Sequence, residues 1–109
     1  MDFPLELLAP SVAARSGTWA RLGVTCEVRP VAPNYGKAVV VCEFESADWL
    51  GNLMIWVTGE TELATIDTVH DRSVNKHYDL TAPADLDALL DELVALLADG
   101  RIPDAALIF

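Results

Sequence analysis

The stretch GNLMIWVTGETELATID, Gly51 to Asp67, decides the fold. Two runs of alternating character flank Gly59-Glu60, a pair that fits a two-residue hairpin loop with glycine at the first, positive-φ position. Thr58 is then expected to face Thr61. Because successive strand side chains alternate, this register sends Leu53, Ile55 and Val57 to one side with Ala64 and Ile66. Met54 and Trp56 go to the other side with Leu63 and Thr65. One side has to be core, and the other is free to carry function.

Upstream, Lys37 to Glu45 reads as a long strand, with Ala38, Val40, Cys42 and Phe44 on an apolar face and Lys37, Val39, Val41, Glu43 and Glu45 on a mixed one. With SADWLG, Ser46 to Gly51, as the turn, Phe44, Cys42 and Val40 fall on the same side as Leu53, Ile55 and Val57. Pro30 to Gly36, PVAPNYG, reads as loop. Val24 to Arg29 reads as a first strand, with Val24, Cys26 and Val28 on one side. Residues 3 to 22 read as helix interrupted at Pro10 and Gly17 and closed by Gly23.

Downstream, HDRS (His70 to Ser73) makes a turn, and Val74 to Leu80 reads as an edge strand. A three-residue loop is preferred there because it buries Tyr78 and Leu80 and leaves Asn75, His77 and Asp79 on the other side. Thr81 can cap a helix starting near Ala82 or Pro83, along which Leu86, Leu89, Leu90, Leu93, Leu96 and Leu97 keep helical spacing, with Gly100 past its end. The tail IPDAALIF is too apolar to be left in water, and is expected to dock on the body or to serve a homodimer contact. The expected fold is therefore one α+β domain over residues 1 to 109. It is an antiparallel meander sheet of about five strands with N-terminal and C-terminal helices packed on one face.

With 109 residues and 52% apolar content, the chain has enough material for a core; a chain of this size hides roughly 65% of its unfolded surface. The 7 basic and 17 acidic residues give a net charge of −10. That balance argues against nucleic acid or an anionic membrane as partner and favours a basic protein. No run is long enough to span a bilayer, and the acidic N-terminus does not read as a secretory signal, so the cytoplasm is the expected compartment.

No catalytic constellation emerges. The serines lie in no nucleophile motif, and Cys26 and Cys42 lack zinc spacing and read as structural thiols on the core face. His70 and His77 read as turn and surface residues. The Glu43/Glu45 and Glu60/Glu62 pairs lack the ligand series of a cation site. Neither a metal nor a cofactor is expected, and an enzyme is not. The mixed sheet face is the better candidate: Val39, Val41, Met54, Trp56 and Leu63 make an apolar centre bordered by Glu27, Glu43, Glu45, Asp67 and Asp79. Such a centre excludes water while its acidic rim steers a basic partner.

Phe44 to Ser46 (FES), Gly51 to Leu63, Ile66-Asp67, and HYDL followed by DLDALLDEL resemble the TriTu-type immunity proteins of bacterial polymorphic toxin systems. The similarity covers roughly residues 18 to 97, and the chain departs from it in the loop Pro30 to Gly36 and in its apolar tail. The resemblance implies a small protein that binds and neutralises a cognate toxin by stoichiometric occlusion. The alternative is a small acidic adaptor or structural subunit that binds another protein.

Overall fold

The computed structural model describes residues 2–109. A 3-10 turn at Leu5–Leu7 leads into α1 (Leu8–Ala13) and α2 (Ser16–Leu22). The strands follow: β1 (Thr25–Val28), β2 (Ala32–Asn34), β3 (Lys37–Glu45), β4 (Trp49–Trp56), β5 (Glu60–Asp67) and β6 (Arg72–Asp79). α3 (Pro83–Asp99) and a short β7 (Leu107–Ile108) close the chain. All strand pairs are antiparallel, in the order β1-β3-β4-β5-β6-β7, with β2 also against β3. The mixed α+β architecture, with N-terminal and C-terminal helices on one face of the sheet, is the expected one.

The core explains this arrangement. Val40, Cys42, Phe44, Leu53, Ile55 and Leu63 rise from one sheet face and meet Leu86, Leu89, Leu90 and Leu93 of α3 and Phe3, Leu8, Val12 and Trp19 of the N-terminal segment. The leucine spacing of α3 turns a single stripe inward. Its N-terminus is set by Pro83 at the first turn and by Asp85, whose Oδ2 accepts from the Thr81 and Ala82 amides at 2.9 and 3.0 Å. The N-cap is Ala82, so Thr81 caps only indirectly, by donating its hydroxyl to Asp85 at 3.0 Å. The N-terminal helix breaks at Ala14-Arg15, and Pro10 and Gly17 both lie inside helices. Proline is tolerated in a first turn, where its missing N–H has no intrahelical role. Trp19 spans the break by donating its indole N–H to the Val12 carbonyl at 3.0 Å.

The central hairpin differs from the expectation in one decisive respect. Its loop is Val57 to Gly59, three residues long, and Ile55 pairs with Thr61, so Thr58 does not face Thr61. Gly59 (φ 91°) takes the last loop position, as in three-residue loops that end on a left-handed residue, and its amide donates to the Trp56 carbonyl at 2.8 Å. The changed register exchanges the faces of β5. Thr61, Leu63, Thr65 and Asp67 turn into the core and are buried, whereas Ala64 and Ile66 turn outward.

A second loop restores the order. Asp67 pairs with Arg72 across a four-residue connection, Thr68 to Asp71, which reverses parity again. Tyr78 and Leu80 therefore reach the core side as expected, and Asn75, His77 and Asp79 the other. Two further strands lie where loop and tail were expected. β2 pairs with β3 through Tyr35 (φ 53°) and Gly36 (φ 84°), both left-handed as in a type I′ turn. β7 pairs with β6, so β6 is not an open edge along its first half. The tail docks through Ile102 and Ala106 beside Trp49, Val74 and Leu96. Trp49 is thus a buried residue at the start of β4.

Candidate functional site

All the helices share one face of the sheet, and the opposite face carries a cross-strand array fixed by register. One row runs Thr25, Glu45, Leu50, Ile66, Ser73, ending beside Phe109. The next runs Glu27, Glu43, Asn52, Ala64, Asn75 and Leu107. A third holds Val41, Met54, Glu62 and His77, with Arg29 bonded to the backbone of Val41. In the fourth, Val39 pairs with Trp56, and Glu60 with Asp79.

Of the residues expected to form a partner surface, the structure brings Val41, Glu43, Glu45, Met54, Trp56 and Asp79 onto this face. Leu63 and Asp67 do not belong to it. The three-residue loop turns both toward the helices, where Leu63 is 1% and Asp67 3% exposed. The apolar residues of β5 alone could not reveal this, because loop length sets the parity.

Asp67 instead organises the hairpin that follows it. Its Oδ1 accepts from the Val69 and His70 amides, each at 3.1 Å, and its Oδ2 meets His70 Nδ1 at 2.8 Å and Arg72 Nε at 3.1 Å. Burial alone would raise this carboxyl, but the bonds from His70, its amide and Arg72 together hold it down to about 2.

Charges on the open face are only partly matched. Arg29 clasps Glu43 through two bonds, at 2.8 and 3.1 Å, which hold the Glu43 carboxyl below its usual range. His77 sits between Glu62 at 2.5 Å and Asp79 at 3.0 Å, and the two carboxylates, Glu62 first, push its imidazole up. Lys37 approaches Glu60 at 3.7 Å. Among the described residues Glu45 has no cationic partner within ion-pair distance.

Two hollows mark the face. A hollow of about 470 Å³ lies at the Trp56 end, bounded by Tyr35, Lys37, Trp56, Glu60 and Glu62. Tyr35 is fully exposed on its turn beside it. A larger trough of about 850 Å³ lies over the first two rows, between the Glu27/Glu43/Glu45 group and Leu50, Asn52, Ala64, Ile66 and Asn75. The sequence signal that could have found this second region was Glu60 and Glu62. Two glutamates at alternate positions resist burial, so their face, which also holds Ala64 and Ile66, is the outer one.

The cysteines are on the core side, unbridged, with Cys42 buried and Cys26 half-buried. The neighbouring Cys26 thiol and burial both push the Cys42 thiol up, which keeps it protonated. Among the described residues no helix is long and apolar enough to cross a membrane. Comparison of the chain with protein families, curated proteins and solved structures gives no match to any of them.

Proposed function

We propose that this chain is a protein-binding module of the immunity type. It neutralises a cognate toxin domain in the bacterial cytoplasm by covering it in a stoichiometric complex, without catalysing a reaction. The observation that carries this reading is the uncovered sheet face, where Val41, Met54 and Trp56 lie together with Glu43, Glu45, Glu62 and Asp79 around them. An apolar, aromatic centre inside a charged rim is the composition of a protein contact. The net charge of −10 favours a basic partner and speeds its encounter. The residues that resemble TriTu-type immunity proteins include Gly51 to Leu63, which contributes Met54, Trp56 and Glu62 to this face.

The deciding experiment is co-expression of the chain with the C-terminal domain of a large secreted protein encoded beside its gene. Restored growth, together with a purified complex of defined stoichiometry, is the expected result. A toxin domain that stays lethal beside a soluble excess of this protein would overturn the reading.

One observation favours a second reading, an adaptor subunit that binds another protein or its own copy. Leu107, Ile108 and Phe109 remain 62%, 51% and 71% exposed although the tail is docked. Solution mass before and after deletion of residues 107 to 109 separates the readings, since only a dimer held through the tail halves its mass.

A further inference from the structure

The trough over the first two rows has features that the Trp56 region lacks. Leu50 and Ile66, directly paired across β4 and β5, stand 46% and 45% exposed and form an apolar ridge. Beside them the small side chains of Ala64 and Ser73 lower the floor. Asn75 Oδ1 accepts from the Thr65 amide at 3.3 Å, which fixes the orientation of the side-chain amide. The acids gather at the β1/β3 end, where Glu43 and Glu27 share Arg29 and Glu45 has no cation among the described residues.

We infer that this trough receives one amphipathic helix of a basic protein partner, laid across the strands, with a lysine or arginine against Glu45 and small apolar side chains on Leu50, Ile66 and Ala64. The inference rests on the protein-binding reading above and adds a second contact region to it. Dimensions support a helix: from β1 to β6 the trough crosses strands spaced about 4.8 Å apart, roughly 19 Å in all. That length holds roughly thirteen helical residues at about 1.5 Å each. An extended segment on a sheet face would leave its own amides and carbonyls largely unpaired, whereas a helix satisfies them internally. A second copy of this chain is disfavoured because it would bring more acid to Glu27, Glu43 and Glu45, at a net charge of −10 per chain.

The test is a titration of the ¹⁵N-labelled protein with a synthetic fourteen-residue helical peptide. The peptide carries alanine and leucine on one face and arginine or lysine on its other face and first turn, and a control carries glutamate at the basic positions. The expected result is a saturable shift of the Glu45, Asn52, Ala64 and Ile66 amides with the basic peptide alone. Glu45→Lys, at an exposed position, should weaken that binding roughly tenfold. Ala64→Arg should abolish it. Equal shifts with the acidic control, shifts centred on Trp56, or no saturation would overturn the inference. So would concentration-dependent shifts at the same amides without peptide, which would assign the trough to a second copy. No toxin enters this experiment, so its failure and a failed growth rescue are separate results.

Discussion

The Tyr78 hydroxyl donates to Glu92 Oε1 at 2.7 Å, and the same oxygen accepts from Lys76 Nζ at 2.9 Å. Lys76 also lies 4.5 Å from the centre of the Tyr78 ring. These contacts fasten β6 to α3 at the margin of the core. Tyr78→Phe should cost about 1 kcal/mol of stability, and Glu92→Ala about 2 kcal/mol because two partly buried donors lose their acceptor. Urea unfolding measures both. Burial first, then the Glu92 carboxylate, raises the tyrosine above its ordinary value of 10.0. The stability it contributes is therefore complete below pH 10 and is lost as pH rises further. Tyr78 phenolate absorbance should appear together with alkaline unfolding, and Tyr78→Phe should remove that contribution.

Acid acts through Asp67. Its folded carboxyl titrates at about 2, below the ordinary 3.8, so the unfolded chain binds the proton first as pH falls. The stabilising contribution is present above the ordinary value and disappears as pH falls through about 2. Asp67→Asn should lower the melting temperature at neutral pH, with the gap between variant and parent closing in strong acid. A gap that stays constant from pH 7 to pH 2 would show that the carboxylate charge is not what holds the turn.

Trp56 is the aromatic centre of the proposed toxin contact. Truncating such an anchor commonly loses about 2 kcal/mol of binding, roughly thirtyfold in Kd. Trp56→Ala should weaken toxin binding by that order while the unfolding midpoint moves little, because the indole is only half-buried. Calorimetry on the folded variant decides the point.

Salt offers an independent measure of the acidic rim. Association with a basic toxin should slow as ionic strength rises, and Glu43→Gln with Glu45→Gln should flatten that dependence while changing dissociation little. Stopped-flow association rates at several salt concentrations supply the check.

Gly59 is the most tightly restricted of the glycines. A Cβ there would lie 2.1 Å from the Leu80 carbonyl oxygen, on a residue with φ 91°. Gly59→Ala should cost about 2–3 kcal/mol and lower the unfolding midpoint, through strain and displacement of Leu80.

Much of the fold was legible in the sequence because its signals were redundant. The α3 leucines keep one helical stripe, Gly100 ends the helix with φ 68°, and Val40, Cys42 and Phe44 alternate with Val41, Glu43 and Glu45 on a strand with one buried face. The face of β5 was not legible from hydrophobicity, since Leu63 with two threonines competes with Ala64 and Ile66. A positive-φ glycine suits both two-residue and three-residue loops, so Gly59 did not settle the parity either. The expected placement of Tyr78 and His77 nevertheless matched the structure, because the extra residue in each of two loops cancels. Consequently Val41, Glu43, Glu45, Met54, Trp56 and Asp79 share the open face as expected, whereas Leu63 and Asp67 lie on the core side.

The two ends of the described chain leave the sheet at different places. Phe3 donates its amide to the Val57 carbonyl at 2.7 Å, next to the Trp56 hairpin, while Phe109 exchanges backbone bonds with Ser73 at 3.0 and 3.2 Å, beside the trough. A fluorophore, tag or fused domain joined after Phe109 would therefore emerge at the rim of the trough. One joined ahead of Phe3 would emerge near the other end of the open face, so each attachment point handicaps a different contact region. Paired N-terminal and C-terminal fusions, assayed side by side, work as a steric ruler for where a partner sits.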